Sequence, residues 1–278
     1  MTDFFSEQFS TVIEMMQFDF IKRAVVVGLF VSLCAAILGV SLVLKRYAMI
    51  GTGLSNLGFA AMVFAGIFGI APLAFSIPVV IVAAFVLLRL NENSKIKGDS
   101  AVALISTSGL AVGIIVTSLT TGISLDLCNV MFGSILAATR EDMAVSIVLC
   151  TVVIFLYVFF YKQLFAVTYD ENFARATGTK VEIYKTLLAL LTAVTVVLGM
   201  RMMGALLISS LTLFPALSAM RICKRFLSVV IASVIIGAVC FLVGMIFSML
   251  LNLPPGASVV GVNLIVFIIL SGVSFFKR

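Results

Sequence analysis

Long apolar runs follow one another along almost the whole chain, and polar residues separate them only briefly. Each run is close to the roughly 20 residues that a helix needs to cross a bilayer. The runs are continuous, whereas the strands of a membrane barrel alternate in polarity over about 10 residues. With 63% hydrophobic residues, 11% charged residues and a mean hydropathy of +1.29, the sequence predicts an all-α, polytopic helical membrane protein.

Nine segments are apolar enough to be transmembrane spans, and we expect eight or nine of them to cross. They comprise residues 24–44, 49–70, 73–90, 100–121, 143–161, 186–200, 204–222, 226–251 and 258–276. The stretch 122–142 is interrupted by Asp126 and Gly133, so we expect a short re-entrant or surface helix there. Residues 1–19 have the pattern of an amphipathic interfacial segment, and residues 20–278 are expected to form a single transmembrane domain.

The basic residues predict the orientation of these spans. If the polar stretch 162–185 lies in the cytoplasm, only four of the eighteen Lys and Arg residues fall outside, namely Lys22, Arg23, Arg140 and Arg201. Cytoplasmic loops of membrane proteins carry an excess of Lys and Arg. We therefore expect a cytoplasmic C-terminus, and an external N-terminus if all nine spans cross.

The polar stretch 162–185 is the longest interruption of the apolar pattern. The residues from Thr168 to Glu171 fit a capping box, which predicts a helix that begins at about Tyr169. Gly178 can supply the left-handed residue that ends it, so the helix has about two turns. So short a helix is not stable alone, and we expect it to dock on the membrane domain and on a soluble partner; the alternative is a solvated loop.

The composition argues against an enzyme. The chain has no histidine, and its twelve carboxylates fall in loops or at span ends, which leaves no Ser-His, Cys-His or metal-His site. No Gly-Lys pair is present, so there is no Walker A loop, and any ATPase must be a separate chain. The five cysteines lack CxxC spacing, and we interpret the four in apolar runs as buried packing residues. A channel or a secondary carrier is the alternative to an ATP-driven transporter, although carriers usually need a charged group at mid-membrane.

Five stretches carry a resemblance to a known family. They are residues 43–56, 98–101, 126–137 with 140–142, 169–178 and 204–216. In this order and spacing the chain resembles the membrane permeases of the metal-specific ABC importers, which carry zinc, manganese or iron, and it is close to the zinc type. The resemblance implies the fold of a type II ABC importer permease.

The resemblance also implies a function and partners. The chain would be the permease subunit of an importer for a divalent metal ion, zinc being favoured, in the plasma membrane of a prokaryote. It would pair with a second permease copy and receive metal from an extracellular metal-binding lipoprotein, without a covalent cofactor and without nucleic acid. Two ATPase subunits would dock on the short cytoplasmic helix, at about 169–178. The expected coupling residues are Asp170, Glu171, Phe173, Ala174, Arg175 and Gly178.

One departure from the family bears on the substrate. Members typically read Gly-Asp-x-Leu-Ser-His at the start of the second span, and here Thr52 and Asn56 occupy the Asp and His positions. Neutral hydroxyl and amide oxygens are poor ligands for Zn²⁺. Thr52 and Asn56 either line the path for a harder, more hydrated or non-metal solute, or form hydrogen bonds between helices. The other candidate residues are Ser209 and Ser210 for the path, and Asp126 and Cys128 as metal ligands at the outer mouth.

Overall fold

The computed structural model describes residues 19–93, 99–120, 140–251 and 253–276. Every regular element in these ranges is a helix. In chain order the helices are α1 (Asp19–Leu44), α2 (Ile50–Phe68), α3 (Pro72–Asn93), α4 (Asp99–Leu119), α5 (Arg140–Phe159), α6 (Tyr161–Tyr169), α7 (Glu171–Ala176), α8 (Val181–Met203), α9 (Ala205–Ile222), α10 (Phe226–Leu251) and α11 (Pro255–Phe276).

The helix lengths confirm the predicted class of fold. Within the described ranges, eight helices are long and apolar enough to cross a membrane, and α3 has the shorter apolar segment Pro72–Leu88. This agrees with eight or nine spans in an all-α membrane protein. The side of the membrane on which each end lies stays a prediction from the basic residues.

Several helices begin before the predicted spans. The first starts at Asp19, α8 starts at Val181 and α11 starts at Pro255, because a helix continues beyond the apolar stretch that hydropathy detects. Proline suits the first position of a helix, where its missing N–H is not needed. Arg140–Asp142, which we assigned to the stretch 122–142, instead form the first turn of α5. The predictions for residues 1–18 and 121–139 lie outside the described residues.

The first helix occupies the centre of the bundle. It packs along α9, α10, α8 and α5, and α9 approaches it so closely that a Cβ atom on Gly39 would collide with the backbone carbonyl oxygen of Thr212. Small residues at such crossings are typical of membrane helices, where close backbone contact replaces the hydrophobic driving force. Helices α4, α5 and α11 are the least buried spans and form the periphery.

Polar side chains inside the bundle bind to neighbouring helices. The Ser233 hydroxyl donates to the carbonyl oxygen of Ala36 at 3.0 Å, and the hydroxyls of Ser41 and Tyr157 lie 2.8 Å apart. Satisfied polar contacts of this kind join α1 to α10 and to α5 without exposing a polar group to lipid.

The cysteines of the described ranges are free thiols. Cys34, Cys150 and Cys240 are buried and Cys223 is half-buried, which agrees with their interpretation as packing residues. Cys128 lies outside the described residues.

Candidate functional site

The polar stretch 162–185 folds into two short helices and the start of α8 rather than into one helix from Tyr169. Tyr169 is the last residue of α6, and α7 is capped by Asp170, whose carboxylate accepts from the amides of Asn172 at 2.9 Å and Phe173 at 3.1 Å. The predicted capping box is therefore wrong in its capping residue. Thr168 belongs to α6 and is buried, so its side chain is not placed to cap α7.

The end of α7 confirms the role predicted for Gly178. This glycine has a φ of 83°, and its amide donates to the Arg175 carbonyl at 3.0 Å while the Thr179 amide donates to the Ala174 carbonyl at 3.0 Å. This pair of bonds is a Schellman motif, in which the left-handed residue satisfies the last carbonyls of the helix. Asp170 and Gly178 thus limit α7 to six residues, Glu171–Ala176.

Helix α7 has one buried and one exposed side. Ala174 is fully buried and clusters with Val167 of α6 and Val181 of α8. On the other side, Phe173 is 64% exposed and Tyr169, at the end of α6, is 80% exposed. Aromatic side chains in such positions are typical of protein interfaces. The helix is docked on the membrane domain, as expected, and the solvated-loop alternative is excluded.

Ion pairs of Glu171 connect α7 to two other parts of the chain. Its carboxylate lies 3.1 Å from Lys45 Nζ, just after α1, and 2.7 Å from Lys185 Nζ on α8. Both lysine side chains are buried, at 5% and 8% exposure, whereas Glu171 is 37% exposed. Burial alone would raise the pKa of Glu171, but the hydrogen bond from Lys185 and the charge of Lys45 outweigh it, so this pKa lies below its ordinary value.

A second ion pair of the same region is exposed. Arg175 Nη2 lies 2.6 Å from Glu182 Oε1, and the two side chains are 58% and 61% exposed. Exposed pairs contribute about 0–1 kcal/mol because water and salt screen them. Arg175 lies in the last turn of α7, but its exposed pair with Glu182 does not anchor the helix as Glu171 does.

The start of α2 packs against two helices. A Cβ atom on Gly51 would lie 3.1 Å from the Thr212 hydroxyl of α9, and one on Gly53 would meet Val102 of α4. The two candidate residues of this segment, Thr52 and Asn56, are half-buried. The Asn56 amide nitrogen donates to the Ser106 hydroxyl of α4 at 2.7 Å, so this side chain takes part in a contact between helices.

The serines of α9 differ in their surroundings. Ser209 is half-buried and its hydroxyl donates to the Ala205 carbonyl at 2.8 Å. Ser210 is buried, and its hydroxyl has no hydrogen-bond partner among the described residues. Thr212 of the same helix lies at the start of α2, beside Gly51. The assignment of Ser209 and Ser210 to the translocation path stays a prediction.

The sequence predicted two metal ligands at the outer mouth. Asp126 and Cys128 lie outside the described residues. Elsewhere in the described part of the chain, no group of three or more His, Cys, Asp or Glu side chains is arranged to hold a metal ion.

Comparison with known proteins identifies the family. The sequence model described as "ABC 3 transport family" matches residues 17–274, which is nearly the whole chain. The chain belongs to the ABC 3 transport family. The resemblance found in the sequence is thereby confirmed, and the chain is a multi-pass membrane protein.

Several relatives of this chain are similar to it along nearly their whole length. The manganese transport system membrane protein MntC of Listeria monocytogenes is 29% identical over 259 residues, covering 92% of this chain and 91% of the relative. The high-affinity zinc uptake system membrane protein ZnuB of Haemophilus influenzae is 27% identical over 261 residues, covering 94% and 98%. The structure of PsaBC from Streptococcus pneumoniae in complex with Fab aligns with a TM-score of 0.83 at 27% identity, covering 94% of each chain.

Two partly buried ionic contacts of this ABC 3 family chain were not predicted from the sequence. One is the pair of lysines around Glu171, and the other is the ion pair of 2.6 Å between Arg201 of α8 and Asp142 of α5, whose side chains are 20% and 14% exposed. Arg201 was one of the four basic residues on the predicted outer side. The ion pair with Asp142 explains how the charge of Arg201 is accommodated at the end of a span. In the sequence, the only signal for this pair was that both charges lie near span ends.

Proposed function

We propose that this chain is the permease subunit of an ATP-binding cassette importer for a divalent metal ion. The observation that supports this proposal most directly is the arrangement of α7. The inner side of this short helix packs against the membrane domain, while Phe173 and Tyr169 stay exposed. Such a helix suits the transmission of force from a soluble partner to the bundle. Membership of the ABC 3 transport family and similarity to permeases named for manganese and zinc support the substrate class.

The proposal includes three kinds of protein partner. Two cytoplasmic ATPase subunits supply the nucleotide chemistry, since the sequence has no Walker A loop. An extracellular metal-binding lipoprotein delivers the ion, and a second permease copy completes the path. The permease itself is a translocation subunit without enzymatic activity.

Among divalent metals, manganese suits this chain better than zinc. The positions of Thr52 and Asn56 offer hydroxyl and carboxamide oxygens, and neutral oxygen donors with water suit Mn²⁺, whereas Zn²⁺ prefers imidazole, thiolate or carboxylate. This preference revises the choice of zinc that the overall resemblance favours.

The test is uptake of radioactive Mn²⁺ and Zn²⁺ into proteoliposomes that contain the permease, its ATPase and its binding lipoprotein. We expect saturable Mn²⁺ uptake that requires ATP hydrolysis and the lipoprotein, with slower Zn²⁺ uptake. Metal movement that is independent of ATP would instead favour a channel or carrier. Uptake of neither metal by an assembled, ATP-hydrolysing complex would favour a permease with a different solute.

A further inference from the structure

The carboxylate of Glu171 joins three helices at one end of the bundle. It is the first residue of α7, Lys45 directly follows α1, and Lys185 lies in α8. The two ammonium groups approach different oxygens of the carboxylate, Lys45 at Oε1 and Lys185 at Oε2. One side chain of α7 therefore contacts the residue that follows α1 and a residue of α8.

The ion pair of Glu171 with Lys45 lies in the short turn between α1 and α2. The last turn of α1 closes with the Tyr47 amide donating to the Leu42 carbonyl at 2.8 Å and the Arg46 amide donating to the Val43 carbonyl at 3.1 Å. Arg46 has a φ of 60°, so Lys45 stands within a Schellman turn of fixed geometry. Only residues 45–49 separate α1 from α2, so a displacement of Lys45 acts on the start of α2 through a short connection.

Those residues belong to the segment with the candidate path positions. The Ile50 amide donates to the Tyr47 carbonyl at 3.1 Å, and α2 continues through Thr52 to Asn56. A cavity beside Lys45 and Lys185 is lined by Ile50 and Leu54 of α2. The start of α2 therefore lies next to the two ammonium groups.

The apolar contact of α7 does not provide the same connection. Ala174 clusters with Val167 of α6 and Val181 of α8, which holds α7 against its neighbours in sequence. Glu171 adds the contact with Lys45, 126 residues away in the chain. The two attachments therefore have different consequences for movement: one holds α7 in place, and the other links it to the α1–α2 turn.

We propose that Glu171 is a positioning residue that transmits movement of α7 to the start of α2 through Lys45, and to α8 through Lys185. The inference rests on the proposed function, because it assigns a pathway of coupling within an ATP-driven importer. When the partner ATPase displaces α7, the two buried ammonium groups follow the carboxylate, and the α1–α2 turn moves with them.

The test compares three variants with the wild-type permease. E171Q keeps the size of the side chain and removes its charge, E171D keeps the charge on a shorter side chain, and E182Q removes a charge from the exposed pair with Arg175 as a matched control. Hydrogen exchange of the α7 amides is measured on the permease alone in nanodiscs. The number of ATP molecules hydrolysed per metal ion imported is measured in proteoliposomes with the ATPase and the binding lipoprotein.

We expect E171Q to accelerate exchange of the α7 amides by about tenfold, since the neutral amide forms no ion pair and its NH2 group cannot accept from the second lysine. It should also raise the ATP hydrolysed per imported ion several-fold while the ATPase still binds. E171D should be intermediate in both measurements, and E182Q should match the wild type.

Two results would overturn the inference while leaving the proposed function intact. One is wild-type exchange of α7 in E171Q, and the other is faster exchange with an unchanged ratio of ATP to metal, which would make Glu171 a stabilising residue only. Absence of ATP-dependent import by the wild type would overturn the proposed function itself and the coupling role with it.

Discussion

The carboxamide nitrogen of Asn56 donates a hydrogen bond of 2.7 Å to the hydroxyl of Ser106. The bond joins α2 to α4 at a position where most family members are expected to carry a histidine. Ser106 is thus the partner of Asn56 if Asn56 serves to hold two helices together. Mutation of the two residues can distinguish this role from a role in lining the translocation path.

The first prediction is a coupling energy between Asn56 and Ser106. Interhelical hydrogen bonds in membrane proteins average about 0.6 kcal/mol, so N56A and S106A should each lower stability by about that amount. Because both variants remove the same bond, the double variant should be little worse than either single one. Reversible unfolding in mixed micelles measures the cycle, and additive effects would show that the bond contributes nothing.

The second prediction distinguishes the two possible caps of α7. D170A should destabilise α7 by about 1 kcal/mol, because two amides lose their acceptor, and D170N should restore most of the loss. T168A should leave α7 unchanged, since Asp170 is the residue that accepts from the first turn. Hydrogen exchange at Asn172 and Phe173 provides the measurement, and a larger effect of T168A than of D170A would reinstate the capping box.

These two residues show what sequence reasoning could and could not provide. The spans were predictable because apolar length is a local property, and Gly178 was predictable because glycine commonly occupies the left-handed position after a helix. Thr168 and Asp170 both satisfy local rules for a cap. The choice between them depends on tertiary structure, since Thr168 is part of α6 and the Glu171 carboxylate binds two lysines.

The contacts of Glu171 could not have been predicted in this way. The four long helices α2 to α5 separate Lys45 from Glu171 in the sequence. In the count of basic residues, Lys45 and Lys185 only indicated the cytoplasmic side. Their approach to one carboxylate depends on how α1, α7 and α8 pack together. Asn56 and Ser106 are a similar case, because neither residue type nor spacing predicts which helix lies beside α2.

The third prediction concerns the backbone of α7. A174P removes the amide that donates to the Asp170 carbonyl at 3.0 Å, and proline inside a helix costs about 3 kcal/mol. We expect the variant to insert into the membrane normally but to lose the coupling of ATP hydrolysis to import. A174G retains the amide and should lose about 1 kcal/mol of helix stability, with coupling largely kept. Normal transport by A174P would show that α7 is not the coupling element.

The fourth prediction is a pH dependence of the docking of α7. The pKa of Glu171 is lowered from its ordinary value of 4.5 by Lys185 and Lys45, which outweigh the effect of burial. A lowered pKa means that the ionised carboxylate stabilises the folded state at every pH above 4.5, and that this contribution disappears as the pH falls through the lowered value. Protection of the α7 amides should therefore be constant near neutral pH and decrease only below about 4.5.

The E171Q variant is the control for this titration. It lacks the titrating group, so its protection should be low and should not change over the same range. If the wild type lost protection between pH 6 and 7, values at which a carboxylate with a lowered pKa stays ionised, another group would be responsible.

The last prediction concerns the start of α2 and the metal that passes it. Replacement of Thr52 by Asp and of Asn56 by His restores the pair typical of the family and provides two ligands that borderline metals favour, one helical turn apart. Thr52 is half-buried, so T52D alone places a carboxylate in a poorly hydrated position and should reduce import. The double variant should be better tolerated when metal is present, because a bound cation compensates the carboxylate.

Uptake of Mn²⁺ and Zn²⁺ by the wild type, both single variants and the double variant decides the matter in the complete transporter. A shift of preference toward Zn²⁺ in the double variant would identify Thr52 and Asn56 as residues that contact the solute. Mn²⁺ uptake unchanged by T52A and by N56A would contradict that role and leave Asn56 as a residue of the α2–α4 contact. Ligands would then have to be sought at Asp126 and Cys128, by testing D126N and C128S in the same assay.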